Sequence, residues 1–174
     1  MKKKHLLHLI TCAVLLFSFA ACKDDDKVDE AWRDANIEAY NKLTKDSSFK
    51  ELKTETGPSG VYYKVIKNGE GTEYPIQTSS VKVLYKGTYY NGTVFDAGSG
   101  GNDVPIEFST NNTVRGFGFA LQNMVVGDKW EICIPYHLGY GASGYVDSYY
   151  GTVYIKGYTT LFFEVELVEI NQHP

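Results

Sequence analysis

Residues 81–98, VKVLYKGTYYNGTVFDAG, constrain the rest of the chain most. Val81, Val83 and Tyr85 alternate with Lys82, Leu84 and Lys86, the period of two expected of a strand with one buried face. Leu84 is the one apolar residue on the wetter side. Asn91-Gly92 supplies the positive φ angles of a tight hairpin turn, and Thr93, Val94 and Phe95 lead back to Asp96. One hairpin thus brings a tyrosine, a phenylalanine and a carboxylate within reach of one another. A lone carboxylate among rings is a poor metal site and an incomplete hydrolase, but it suits the polar edge of an apolar pocket.

The elements after this hairpin are short. Pro105 to Phe108 reads as a strand with Ile106 and Phe108 on one side, and Gly118 to Met124 as a short helix presenting Phe117, Ala120, Leu121 and Met124. A turn at Val126-Gly127-Asp128 precedes the strand Lys129–Ile134. There Trp130, Ile132 and Ile134 share one face, which puts Glu131 and Cys133 on the polar one. The last strand runs from Thr160 to Ile170, with Leu161, Phe163, Val165 and Leu167 in phase and the pattern breaking at its end. Upstream, Gly57-Pro58-Ser59-Gly60 breaks the chain before a strand from Val61 to Lys67. The sum is an α+β domain of five or six antiparallel strands around one short helix.

The beginning of the chain reads differently. Lys2, Lys3 and Lys4 precede an apolar run from Leu9 to Ala21, thirteen residues, short of the roughly 20 that span a bilayer and suited to an export signal. Phe19-Ala20-Ala21-Cys22 resembles a bacterial lipobox, which implies that Cys22 is the lipidated N-terminus after cleavage; the alternative is an ordinary secretory signal. Cleavage takes the basic residues from 17 to 14 against 21 acidic ones, a net charge near −7 that argues against nucleic acid as a partner. It also leaves Cys133 as the single thiol beside Cys22, so there is no internal disulfide framework. Residues 23–28, KDDDKV, read as a solvated acidic tether; Cys-Lys-Asp-Asp also resembles the surface-export signal of Bacteroidetes lipoproteins. From Asp29 to Lys45 an apolar stripe of Trp32, Ala35, Ala39 and Leu43 marks a helix capped by Asp29. The stripe is thin, so the helix is expected to dock on the domain rather than to pair with a second copy. The expected organisation is a signal (1–21), a tether (22–28), an N-terminal helical segment (29–56) and a folded domain (57–171).

Other signals lead nowhere. Gly139 to Gly144 matches GxGxxG, but no amphipathic helix follows to hold a pyrophosphate. After cleavage His137 and His173 are the remaining histidines, too few for a histidine-based metal site. No nucleophile elbow or carboxylate pair stands out.

What remains is a set of rings and aliphatic residues at loop edges. VKVLYKGTYYNGTVFDAG, VRGF, NMVVGDKWEICIP, LGYGASG and TTLFFEVELVEI, in that order over residues 60–170, resemble the FKBP-type peptidyl-prolyl cis-trans isomerases of exported bacterial type. The resemblance implies a twisted antiparallel sheet wrapped around a short helix, with a proline pocket between them. It implies that Tyr85, Phe95 and Asp96 form one wall and Phe117 the floor. It also implies that the Val114 N–H and the Tyr140 hydroxyl bond substrate carbonyls, and that Ile106, Ile155 and Phe163 complete the lining with Tyr145 near the substrate. Plain core packing is the competing role for each ring. No cofactor is implied. The implied partners are proline-containing peptides, unfolded exported proteins and, through Cys22, the outer membrane on its periplasmic or outer side; macrolide inhibitors are candidate ligands of the pocket. The competing function is a non-catalytic chaperone or surface binding module on the same scaffold.

Three features depart from the family's pattern. The floor is Phe117 where tryptophan is usual. Ile155-Lys156-Gly157-Tyr158 stands where isoleucine-proline-proline is usual. The loop from Tyr145 to Tyr154 is long and carries four tyrosines, with Tyr145 where histidine is frequent. This loop is expected to add contacts to unfolded chains or to a dedicated partner.

Overall fold

The computed structural model describes residues 28–98 and 103–171. The signal, Cys22, most of the acidic tether, the centre of the glycine-rich loop and His173 lie outside them. In chain order the described elements are α1 (Glu30–Leu43), β1 (Lys50–Thr54), β2 (Gly57–Lys67), β3 (Ser80–Thr88), β4 (Val94–Asp96), β5 (Ile106–Ser109), α2 (Arg115–Leu121), β6 (Lys129–Ile134), β7 (Tyr145–Val146), β8 (Val153–Ile155) and β9 (Leu161–Asn171). The main sheet runs β1-β2-β6-β9-β3, entirely antiparallel; β4 pairs with the end of β3 and β5 with its start. β7 and β8 form a separate two-stranded ribbon.

The alternation read in β3 is real: Val81 and Val83 are fully buried, whereas Lys82 reaches out to Glu169 at 2.7 Å. The same holds in β9, where Leu161, Val165 and Leu167 are buried and Glu164 pairs with Lys129 at 2.8 Å. The broken phase at the end of β9 has a structural cause. Lys82 faces Glu169 but Val83 faces Leu167, so Val168 is an extra residue in the ladder, a β-bulge that shifts the inward positions by one. α2 lies against the inner face and adds Phe117, Ala120 and Leu121 to the core, with Met124 buried just beyond its end.

Several expectations need correction. The helix that carries Phe117 starts at Arg115 and ends at Leu121, because Val114 already serves as its N-cap and its carbonyl accepts from Phe117 and Gly118. Residues 50–54 are not part of a helical segment: they form β1, paired with β2 through a hairpin at Glu55-Thr56, and the 57–60 stretch lies inside β2. The strand count rises accordingly to nine among the described residues. The Asn91-Gly92 turn is a three-residue loop closed by Tyr89 N–H to Thr93 O at 2.9 Å, in which only Gly92 takes a positive φ (+82°). The reversal is therefore a turn followed by a left-handed glycine, not a two-residue primed turn.

α1 docks as expected, capped by the Asp29 carboxylate on Trp32 N–H, but its hydrogen bonds to the domain come from the polar groups beside the apolar stripe as well as from Trp32. Its contacts run along Trp32, Asn36 and Tyr40. The Trp32 indole donates to Thr159 Oγ1 (3.1 Å) and the Tyr40 hydroxyl to Gly60 O (2.8 Å). The fully buried Asn36 amide donates to Trp32 O and accepts from the Thr160 N–H at 2.9 Å. Asn36→Ala leaves that buried N–H without its acceptor and is expected to cost about 1–3 kcal/mol. The check is a lower urea midpoint at unchanged slope.

Cys133 is fully buried, not on a polar face, because α1 covers this side of the sheet and brings Tyr40 near the thiol. Burial pushes the thiol pKa well up, and burial does the same to the Tyr40 phenol. An unfolded chain gives up these protons from about pH 8.5 for the thiol and about pH 10 for the phenols, whereas the folded chain keeps them. Their contribution to stability is therefore complete below about pH 8.5 and lost as pH rises further. Thermal melts from pH 7 to 11 test this, and alkylation of Cys133, followed by mass spectrometry, is expected only after unfolding.

Candidate active site

α2 does not close the inner face completely. A cavity of about 380 Å3 opens between the start of α2, the β3–β4 hairpin and the loop after β6, a size common for small-ligand clefts. Phe117, Phe108 and Phe163 form its aromatic base: the Phe117 ring centroid lies 4.8 Å from that of Phe163 and 6.3 Å from that of Phe108. Tyr85 stands beside them, 6.2 Å from Phe117, and its hydroxyl donates to Asp96 Oδ2 at 2.8 Å. Asn111, Asn112, Thr113, Val114 and Tyr140 make up the rest of the lining. Burial, then the Asp96 carboxylate, raises the Tyr85 phenol pKa; burial and the same carboxylate raise that of Tyr140. A phenol keeps its proton at physiological pH in any case, and these shifts carry both further from ionisation.

Backbone packing places Tyr140. Gly141 N–H bonds Tyr136 O (2.8 Å), Gly144 N–H bonds Tyr140 O (3.1 Å), and Tyr158 N–H bonds Gly141 O (2.9 Å), which ties the Tyr140 loop to residues 155–158. The two backbones meet so closely that a Cβ at Gly144 would run into the Ile155 carbonyl and one at Gly157 into the Ala142 carbonyl. Gly144 also has φ +74°. In the GxGxxG pattern Gly139 and Gly144 thus serve close packing and Gly141 a positive φ (+72°), and the residues after it enter β7.

Comparison with known proteins shows which family carries this fold. Residues 71–168 match the family model described as FKBP-type peptidyl-prolyl cis-trans isomerase. The chain belongs to this family. It is 44% identical over 112 residues to the FKBP-type 22 kDa peptidyl-prolyl cis-trans isomerase of Escherichia coli K12, covering 64% of this chain and 50% of the relative. It is 32% identical over 140 residues to the FKBP-type isomerase FkpA of the same strain, covering 80% and 48%. The chain thus spans about half the length of these curated relatives. Among solved structures it resembles a peptidyl-prolyl cis-trans isomerase from Pseudomonas syringae pv. tomato, with a TM-score of 0.69 and 30% identity over 84% of this chain and 98% of that one. The fold is FKBP-like.

Within this FKBP-type domain the cavity brings together Tyr85, Asp96, Val114, Phe117, Tyr140 and Phe163. Four residues expected at the site stand elsewhere. Phe95 packs behind the wall, with its ring 5.6 Å from Phe163 and 5.1 Å from Tyr89. Ile106 sits beneath Gly98 beside Tyr85. Ile155, the last residue of β8, turns its side chain from the ribbon into the core, and Tyr145 lies outside the cavity, stacked on Tyr140. Phe108, Asn111, Asn112 and Thr113 were missed. Phe108 shares the face of Ile106 two residues on, and the 111–113 stretch directly precedes Val114 in a single tight turn, so alternation and adjacency carried the signal.

Proposed function

We propose that this chain is a peptidyl-prolyl cis-trans isomerase that binds X-Pro segments of exported proteins, with the proline ring on Phe117. The observation that carries the reading is the aromatic cavity floored by that ring, with the Tyr85–Asp96 pair at its edge. Rotation about an X-Pro amide needs no proton transfer and no covalent intermediate, because its barrier is amide resonance. The planar amide has more charge separation than the twisted one, so an apolar, dry site favours the twisted state. Val114 N–H belongs to the amides an α-helix does not pair internally, and it and the Tyr140 hydroxyl are the donors proposed for the substrate carbonyls. Uncatalysed exchange takes tens to hundreds of seconds, and a thousand- to ten-thousand-fold gain asks for about 4 to 5.5 kcal/mol. Shape and two hydrogen bonds are of that order.

A protease-coupled isomerisation assay on short prolyl peptides tests the reading. Tyr140→Phe is expected to lower kcat/KM about two- to tenfold, the value of one hydrogen bond, with the melting temperature unchanged. Phe95→Ala, which removes the support behind Phe163, is expected to lower kcat/KM as well. A wild-type rate equal to background would favour a binding module on this scaffold. For location, the proposal is a lipid anchor on Cys22 in the outer membrane. It rests on the lipobox-like FAAC and on similarity (33% over 136 residues) to a protein of Legionella longbeachae named outer membrane protein MIP. Loss of membrane partitioning in Cys22→Ala tests the anchor, and protease accessibility on intact cells tests which side the domain faces.

A further inference from the structure

The aromatic surface continues where the cavity ends. Tyr140 stacks on Tyr145 with ring centroids 5.7 Å apart and planes at 26°, and Tyr145 stacks on Tyr154 of the facing strand at 5.3 Å and 26°. The three near-parallel rings form a file whose members are 37%, 51% and 53% exposed. Val146 and Val153, paired with each other, alternate to the other face of the ribbon, so the contiguous exposed set is the three rings. Single exposed apolar side chains need no explanation, but a contiguous set does. The ribbon is also held in place. Tyr89 Oη donates to Tyr154 O (3.3 Å), Asp147 N–H bonds Thr152 O (2.8 Å), and the Asp147 carboxylate accepts from the Tyr149 and Tyr150 amides at 2.8 Å each. A surface ordered beforehand loses little entropy on binding.

We infer that the Tyr140–Tyr145–Tyr154 file is a second subsite that takes a proline-rich segment in the polyproline II conformation, running on from the prolyl residue in the cavity. The inference rests on the prolyl-binding reading above and narrows its substrate class. Tyr140 lines the cavity and also begins the file, so a chain leaving one meets the other without a gap. A polyproline II helix rises about 3.1 Å per residue with three residues per turn, so three rings at these spacings match roughly one turn. Such a segment is stiff and makes no internal hydrogen bonds, and aromatic grooves recognise it by ring contact. The rings turn their faces to one another, so what the file offers a peptide is a row of exposed ring edges for pyrrolidine contact and hydroxyls for its free backbone carbonyls. Charge points the same way. Between residues 139 and 155 the sole charged side chain is Asp147, and its carboxylate is engaged by two backbone amides. Lys156, next in sequence, is bound to Asp29 at 2.9 Å. The surface therefore selects by ring packing and not by charge.

Fluorescence anisotropy with labelled peptides tests the subsite. One peptide carries a single X-Pro; others extend it by a run of prolines on its N-terminal or C-terminal side, or by a proline-free leucine-rich run of equal length. Wild-type protein is expected to bind one of the proline-run peptides at least tenfold tighter than the minimal one. Tyr154→Ala is expected to lose most of that gain, and Tyr154→Phe, which keeps the ring, to retain it. No gain from either proline run in wild type overturns the subsite, as does a gain that survives Tyr154→Ala. An equal gain from the leucine-rich run overturns the polyproline assignment. Should Tyr154→Ala unfold the ribbon, the wild-type comparison and the same measurement on Tyr145→Ala decide. Wild-type protein that fails to isomerise the minimal peptide counts against the prolyl cavity instead, and the anisotropy series reads the file independently of turnover.

Discussion

Phe117→Ala is expected to destabilise the domain by about 3–5 kcal/mol, the cost of emptying a well-packed phenylalanine site, and to abolish measurable isomerisation. Phe117 is 4% exposed and joins the core to the cavity. Its ring meets Phe163 at 4.8 Å, Tyr85 at 6.2 Å and Phe108 at 6.3 Å, so three further rings lose a partner when it goes. The stability loss, read by urea unfolding, is a large part of what a domain of this size commands. Phe117→Leu separates the two effects. Leucine fills most of the space but offers no ring face, so it should leave the protein folded at 25 °C and still lower kcat/KM. Equal activity of Phe117→Leu and wild type would show that the floor acts by bulk and not by its ring.

The second large effect is expected from a single methyl group outside the cavity. Gly144→Ala forces an alanine to φ near +74°, at about 1–2 kcal/mol, and drives its Cβ into the Ile155 carbonyl. Backbone has no rotamer to give, so the 139–144 loop must move off residues 155–158, with a further cost of about 1–3 kcal/mol. The displaced loop carries Tyr140. We expect kcat/KM to fall at least tenfold, more than in Tyr140→Phe, because the ring leaves the rim together with its hydroxyl. Near-UV circular dichroism should report the loss of the stacked tyrosines, and Gly157→Ala should reproduce the effect from the other side of the contact. A Gly144→Ala variant with wild-type spectrum and rate would refute this account of how the loop is held.

Period and turn chemistry made the inner sheet legible. β6 was read to the residue from the alternation of Trp130, Ile132 and Ile134, and β3 from Val81 and Val83. The illegible parts depend on partners far along the chain. β1, KELKT, has no apolar alternation to announce it and exists because β2 offers it an edge. Cys133 looked outward because a strand's pattern says nothing about a helix arriving from 100 residues upstream to cover the second face. Nothing in the apolar spacing of α1 singles out Asn36, yet its side chain is fully buried, where it accepts from the Thr160 N–H. Of the residues the resemblance implied, the structure brings Tyr85, Asp96, Val114, Phe117, Tyr140 and Phe163 to one cavity, whereas the distinction between lining residues and their supports, Phe117 against Phe95 or Ile155, depends on packing that no local pattern encodes.

The two rims of the main sheet bear on life among unfolded polypeptides. On one side the rim is split between β4 and β5, three and four residues long; on the other, β1 is interrupted by a bulge between Glu51 and Lys53 and studded with charge at Lys50, Glu51 and Lys53. Neither offers a long, flat, greasy template for another chain to zip onto. Under the proposed function, a domain that takes unfolded chains at its cavity would hold them by their side chains without seeding their aggregation along its own borders.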